Sequence, residues 1–412
     1  MNINFTNAFV YKNGEFTNTD FVFNAAEYSQ KIAPLHSICG DVNFSNCYIF
    51  PGFIDVHVHF REPGFIYKES IATGSAAAAH GGYTDVCTMP NLNPVPDSAE
   101  NLKVQLAAIE KNALISIYPY GAVTLGEKGK ALSNMEEISN DVIAFSDDGK
   151  GIQDSDLMKA AMIKAKHLNK IISAHCEDNS LLNGGYINYS DYSILHGHKG
   201  ISSESEWKQI KRDVEIAKET ECKYHVCHIS TKESVYIIAD AKARGVDITC
   251  ETAPHYLLLC DKDLQDDGRY KMNPPLRSEE DRLALIDGLK NGTIDMIATD
   301  HAPHSLIEKS GGLKDSLMGI SGIETSFALL YTELVKKNII TLEKLIELMS
   351  INPSNRFNIK NSGFTVFSLD EKYKIASENF ISNGKSTPFD GFEVFGKCKM
   401  TVCGGKIVWK EN

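Results

Sequence analysis

The chain has 412 residues, 42% hydrophobic and 23% charged, an ordinary globular composition with room for a barrel of about 250–350 residues plus a smaller domain. Lys+Arg 42 against Asp+Glu 54 leaves a net charge of −12, which argues against a nucleic-acid partner. The first residues, MNINFTNAFVYKNGEF, are too polar for an export leader, and no apolar run approaches the ~18–20 residues that cross a bilayer. A cytoplasmic protein with no membrane partner is therefore expected.

Residues 1 to about 50 alternate apolar and polar positions in short bursts: INFTNAFVYK, GEFTNTDFVFN and DVNFSNCYIF. Asn13-Gly14 between the first two is a hairpin signal. The stretch 363–412 has the same texture, in FTVFSLD, YKIASE and CKMTVCGGKIVWK. Two strand-rich ends around a different middle predict a small composite β domain from 1–50 plus 363–412, flanking a body over 51–362.

That body opens on YIFPGFIDV and passes into DVHVHFREPG, which holds His57 and His59. Side chains at i and i+2 of a strand share a face, so both imidazoles can reach one ion. Neutral imidazoles joined by carboxylates suit zinc or a similar divalent metal. Arg61 follows on the same alternation, and its guanidinium fork matches a substrate carboxylate in two hydrogen bonds. Alone, such a histidine pair is ordinarily just polar strand-end residues.

Seven more strand-like runs follow, at 81–91, 114–124, 141–149, 170–178, 222–230, 246–256 and 293–304. Helical stretches with apolar spacing near 3.6 separate them, several opening on an N-cap such as Ser98, Ser155 or Thr231. Eight alternating units predict an α/β fold, a (β/α)8 barrel whose chemistry lies where strands end. Asp147 and Asp148 close the fourth run, His175 the fifth, His228 the sixth and Asp300 the eighth. Four histidines and an aspartate converging on one barrel mouth point to metal.

The ten cysteines form no CxxC pair and are expected to be buried, reduced thiols; Cys176 should face away from His175 into the core. His36, His80, His167 and His225 are expected to be structural, and HGHKG (196–200) to be a polar loop without ligands. His255 and His301 lie nearer the site, where they could orient a ligand.

DVHVHFREPG, ETAPHY, NPPLR and ATDHAPH, in this order, resemble the dihydroorotases of the amidohydrolase superfamily. The resemblance spans essentially the whole chain, including STPFDGFEVFGKCKMTVCGGKIVW. It implies a (β/α)8 TIM-type barrel with a small composite β-sandwich domain and a site for one or, as expected here, two Zn2+ per chain. By resemblance, His57, His59 and Asp300 bind the more buried zinc, His175 and His228 the second, and a carboxylate bridges both. Many relatives bridge with a carboxylated lysine, whereas FSDDGKG resembles the subgroup using an aspartate. Asp148 is the expected bridge, with Asp147 (through a bulge) and a carboxylated Lys150 as alternatives.

The implied substrates are small molecules, N-carbamoyl-L-aspartate and L-dihydroorotate, interconverted in de novo pyrimidine synthesis, in an enzyme that is often a homodimer. Asp300 would shuttle the proton as well as hold metal. Arg61, Asn91 and His304 would clamp the ring carboxylate, and Asn273 would meet the pyrimidine ring. SLMGISG (316–322) would supply backbone contacts near Met318 and Gly319. Allantoinase-like relatives carry Asn after the histidine pair and act on a substrate without that carboxylate, so Arg61 disfavours an allantoinase or hydantoinase type. A non-catalytic dihydroorotase-like subunit is the other alternative, disfavoured because every expected ligand position is filled.

Overall fold

The Asn13-Gly14 signal becomes a two-residue turn. A computed structural model describes residues 2–24 and 42–411, and in it strands Asn2–Lys12 and Glu15–Asn24 pair antiparallel from Lys12 opposite Glu15 outward. Asn13 (φ 53°) and Gly14 (φ 90°) both take the left-handed conformation that such a tight hairpin requires. Val42–Ser45 and Tyr48–Pro51 join Asn2–Lys12 in parallel. Tyr48–Pro51 then pairs antiparallel with Gly363–Lys374, which continues to Glu393–Cys403 and Lys406–Lys410. Strands from both ends thus form one seven-stranded sheet. Residues at alternate positions, among them Ile3, Phe5, Ile49, Met400 and Val402, give that sheet a core of its own. His36 lies outside the described residues.

Gly52 carries the chain from this sheet into the barrel. A Cβ there would sit 2.0 Å from Thr84 Oγ1, so the buried Thr84 side chain can lie against this backbone only at glycine. Barrel strands follow at Phe53–Val58, Tyr83–Thr88, Ser116–Pro119 with Gly121–Ala122, Phe145–Ser146, Ile171–Ala174, Lys223–Val226, Ile248–Thr252 and Met296–Ile297. Every neighbouring pair is parallel. The third strand is split at Tyr120, one half pairing with the second strand and the other with the fourth. The ring closes where Val58 bridges His301 in parallel and the His59 amide donates to the His301 carbonyl at 2.8 Å. Ile54, Val56, Cys87, Met89, Tyr120, Cys227, Met296 and Ala298 cluster as an apolar plug, as the packed lumen of an eight-stranded barrel requires.

The expected helices lie over Ala99–Asn112, Ser155–His167, Glu204–Thr220, Lys232–Ala243 and Glu279–Asn291. Ser98 and Thr231 cap theirs as predicted, but Ser155 does not. Asp154 is the N-cap there, accepting from the amides of Asp156 and Leu157, because its carboxylate reaches both while Ser155 is already helical. The helical region Ser326–Phe357 after the eighth strand has no counterpart in the sequence reading. All nine described cysteines are buried and free, and Cys176 packs in the core with its sulfur 3.2 Å from the Tyr224 hydroxyl.

Barrel and terminal sheet meet at four rings. Phe327 stands 5.3 Å from Phe53 of the first barrel strand, 5.4 Å from Phe50 and 4.4 Å from Phe367 of the sheet, centroid to centroid. Truncating it leaves a cavity at the joint. Phe327→Ala is expected to lower stability by about 3–5 kcal/mol, read as an earlier midpoint in equilibrium denaturation. An unchanged midpoint would show that the joint contributes nothing to holding the two parts together.

Candidate metal centre

Five side chains from four strand ends converge on Asp148. Its Oδ1 lies 3.4 Å from His57 Nε2, 3.5 Å from His228 Nε2 and 3.8 Å from His175 Nδ1, and its Oδ2 lies 3.4 Å from His59 Nε2. Asp300 closes the other side, with Oδ1 3.2 Å from His59 Nε2 and 3.6 Å from His57 Nε2. His175 Nδ1 and His228 Nε2 approach to 3.1 Å. His57 stands within its strand and the others just past theirs, so the parallel barrel alone brings them to one end. Three residues at this mouth turn through left-handed backbone as they leave a strand or enter a loop: Arg61 (φ 55°), His228 (φ 34°) and Asp300 (φ 47°). Each such non-glycine residue costs on the order of 1–3 kcal/mol, offset by the surrounding packing, and strain of this kind concentrates at functional sites.

The donor set fits a divalent cation. His57, His59 and Asp300 offer ligand atoms within 4.8 Å of one another, as do His57, Asp148 and His228. Among the described residues, His57 Nε2 and Asp148 Oδ1 are buried without a hydrogen-bond partner. Buried polar atoms are rarely left so, and imidazole nitrogens facing carboxylate oxygens are the chemistry that a borderline metal completes. Burial alone would raise the Asp300 carboxyl, but the hydrogen bond with His59 and the charges of His57 and His228 hold it well below the usual range. Asp148 is likewise driven down by His57, His228 and His59 against its burial.

The alternative bridges stand elsewhere. Asp147 turns away and accepts from the amides of Val123 (2.8 Å) and Thr124 (3.0 Å) and from the Thr124 hydroxyl. Burial pushes its carboxyl up to about 6, although those hydrogen bonds oppose the shift. Lys150 is exposed, beyond Gly149.

Around the cluster, Arg61 is 9% exposed, and among the described residues its one hydrogen bond is Nε to the Pro303 carbonyl at 3.4 Å. Its fork is otherwise uncommitted. Burial pushes the guanidinium down to about 10, while Asp300 and Asp148 pull the other way. Asn91 uses Oδ1 on His59 Nδ1 at 2.9 Å, so it orients a candidate ligand. His304 donates Nε2–H to the Met318 carbonyl at 2.8 Å and has Lys68 Nζ 3.3 Å from Nδ1. Burial and the charges of Arg61 and Lys68 push it down to about 3, so it is neutral. Asn273 Nδ2 lies 3.4 Å from His175 Nε2, and its Oδ1 is buried without a partner. The Gly319 amide already donates to the Lys271 carbonyl at 3.0 Å, and its carbonyl accepts from Lys309 Nζ at 2.7 Å.

Sequence reasoning missed two carboxylates. Glu251 Oε1 is 2.8 Å from His57 Nδ1 and its Oε2 is 3.0 Å from His225 Nε2. Hydrogen bonds from His225 and His57 overcome the effect of burial and bring Glu251 down to about 2. Glu177 Oε2 lies 3.6 Å from His175 Nε2. Strand parity could have found both, since each lies two residues from a polar position facing the lumen or mouth. His255, taken as a possible orienting residue, makes no such bond: its Nε2 has no partner, and burial pushes it down to about 4. His301 bonds Glu69 and the Gly322 amide. His198 pairs with the Tyr186 hydroxyl and His80 with Glu324, both apart from the cluster.

Comparison with known proteins agrees with this architecture. The family model described as "Dihydro-orotase-like" matches residues 47–234. A dihydroorotase of Fusobacterium nucleatum is 47% identical over 98% of this chain and 97% of its own length. One of Bacillus cytotoxicus is 43% identical over 98% and 99%. Among solved structures, the L-hydantoinase of Arthrobacter aurescens superposes with a TM-score of 0.84 at 22% identity, covering 100% of this chain and 96% of that one. A D-hydantoinase from a Thermus species gives 0.79 at 23% identity, covering 100% and 96%. Barrel, site and relatives define a cyclic amide hydrolase of the metal-dependent kind. The chain belongs to the dihydroorotase family.

The two neighbouring aspartates separate cleanly by experiment. Asp148→Ala is expected to lower the divalent metal bound per chain, measured by elemental analysis after dialysis. Asp147→Ala should leave metal content unchanged and cost about 1–3 kcal/mol of stability, because two buried amides lose their acceptor. The reverse pattern would assign the central carboxylate to Asp147.

Proposed function

We propose that this enzyme is a dihydroorotase that interconverts N-carbamoyl-L-aspartate and L-dihydroorotate, releasing or consuming water, in de novo pyrimidine synthesis in the cytoplasm. The observation that carries the reading is Arg61, a buried guanidinium beside the acidic cluster whose fork holds no carboxylate among the described residues. A substrate carboxylate matches that fork in two charge-assisted hydrogen bonds. The 42–47% identical relatives named dihydroorotase support it further.

In this reading two zinc ions belong to each chain. His57, His59 and Asp300 would hold one, His175 and His228 the other, and Asp148, within reach of both sets, would serve as a shared ligand. When bound, the metal supplies positive charge that polarises a carbonyl and makes a water acidic near neutral pH. Arg61 fixes the ring carboxylate, and His304, kept neutral with its Nε2–H on the Met318 carbonyl, lines the same side and orients Lys68 toward it. Asn91 steadies His59 through Oδ1 and has its amide group left for the same carboxylate. Asn273, with Oδ1 unpaired, faces the ring amide, and the Met318–Gly319 backbone lines the pocket edge.

In ring opening, water adds to the carbonyl carbon of the ring amide, the carbon–nitrogen bond breaks, and the leaving nitrogen takes a proton. Asp300 accepts the water's proton and passes it to that nitrogen. In ring closure Asp300 removes a proton from the carbamoyl nitrogen, which attacks the carbon of the protonated side-chain carboxyl, and the hydroxyl departs as water with the proton Asp300 returns. The active form is a homodimer in this reading, which sedimentation can check.

Asp300→Ala is expected to lower kcat at least ~100-fold, the scale of proton-transfer catalysis, while leaving much of the substrate affinity. Arg61→Ala should raise KM for dihydroorotate about tenfold or more, as expected for losing hydrogen bonds to a charged group. A panel of dihydroorotate, hydantoin and allantoin decides the substrate. Faster turnover of the latter two, or an unchanged KM in Arg61→Ala, would reject the assignment.

A further inference from the structure

We propose that Glu251 is the positioning residue of the metal centre. It sets which nitrogen His57 presents to the ion and holds a negative charge beneath that ring, while His225 and Thr249 hold Glu251 in turn. The inference rests on the reading of His57 as a ligand.

The geometry is a continuous buried chain. Glu251 Oε1 is 2.8 Å from His57 Nδ1, Glu251 Oε2 is 3.0 Å from His225 Nε2, and His225 Nδ1 is 2.8 Å from Thr249 Oγ1. Glu251 is 1% exposed and the two histidines 0%. A carboxylate has no proton to give, so both imidazoles donate to it. His57 therefore donates from Nδ1, which leaves Nε2, facing Asp148 and Asp300, as the nitrogen a metal would take. His225 donates from Nε2, and its Nδ1 accepts from the Thr249 hydroxyl. Each tautomer follows from its partner, the usual way in which a distant carboxylate orients a metal ligand and raises its basicity.

No other ring in the cluster has this support among the described residues. His59 is held by the neutral amide of Asn91. The carboxylate near the outer nitrogen of His175, on Glu177, stands 3.6 Å away, and His228 Nδ1 is buried without a partner. Among the described residues His57 is also common to the three groups of side chains spaced to hold a metal, two at the mouth with Asp148 and Asp300 and one below with Cys227 and Glu251. The anionic support thus falls on the ring common to both groups at the mouth. The sheet makes it rigid: Thr249 and Glu251 lie two apart on one strand, and His225 pairs in register with Thr249 on the next.

The test is zinc affinity of the metal-stripped protein by chelator competition, with circular dichroism to confirm the fold. Glu251→Gln keeps an acceptor for His57 but removes the charge and turns an amide toward His225. About 10–100-fold weaker zinc binding is expected. Thr249→Val should weaken binding in the same direction by less. Native affinity in Glu251→Gln would overturn the proposal. Long-range 1H–15N correlation on histidine-labelled native apo-protein needs no variant: His57 should carry a proton on Nδ1, and a ring whose only proton is on Nε2 would also overturn it. Native protein that binds no zinc at all would instead reject the metal centre itself, a separate failure.

Discussion

Everything at the barrel mouth depends on the seam between the first and eighth strands. Asp55, fully buried, accepts from the Thr299 amide at 3.2 Å and from its hydroxyl at 2.5 Å, joining positions 244 apart in sequence. The same carboxylate accepts from the His57 amide at 3.1 Å. One buried side chain therefore ties the backbone of a candidate ligand to the strand that delivers Asp300. The His59–His301 backbone bond adds the last rung. With the seam open, His57 and His59 would face one half of a site and Asp300 the other.

Above the seam, charge is arranged with little slack. Two carboxylates and four imidazoles occupy the centre, and Arg61 supplies fixed positive charge at its rim. The left-handed turns at Arg61, His228 and Asp300 re-aim side chains that a regular strand would direct elsewhere. Such turns survive because the barrel wall on one side and the loops on the other leave those residues no alternative. The outer polar groups are mostly engaged with the protein itself: Asn91 with His59, His304 with Met318, Gly319 with Lys271. Arg61 is the exception, which is why its free fork is informative.

Much of this was legible before any coordinates. Eight apolar runs with intervening 3.6-periodic stretches are enough to suggest a barrel, because period and length separate strand from helix. The candidate ligands are visible because a histidine or aspartate at the end of an apolar strand breaks the pattern there. Sequence could not tell Asp147 from Asp148. Strand parity favours one, yet only the amides of Val123 and Thr124 explain where the other goes. Glu251 was missed for a different reason. Its partners lie 194 and 26 positions earlier in the chain, so strand parity with Thr249 is the one local sign of it and says nothing of what it touches. Ser155 and Asp154 show the usual limit of cap assignment, where two adjacent polar residues both qualify.

The shared terminal sheet sets an order of events during synthesis. Tyr48–Pro51 hydrogen-bonds to Gly363–Lys374, so a strand that leaves the ribosome early waits for one translated more than three hundred residues later. Until then its edge is an open template for any extended chain nearby. Nascent polypeptide thus passes through a period of vulnerability to self-association, which ends only when the late strands arrive to cover that edge.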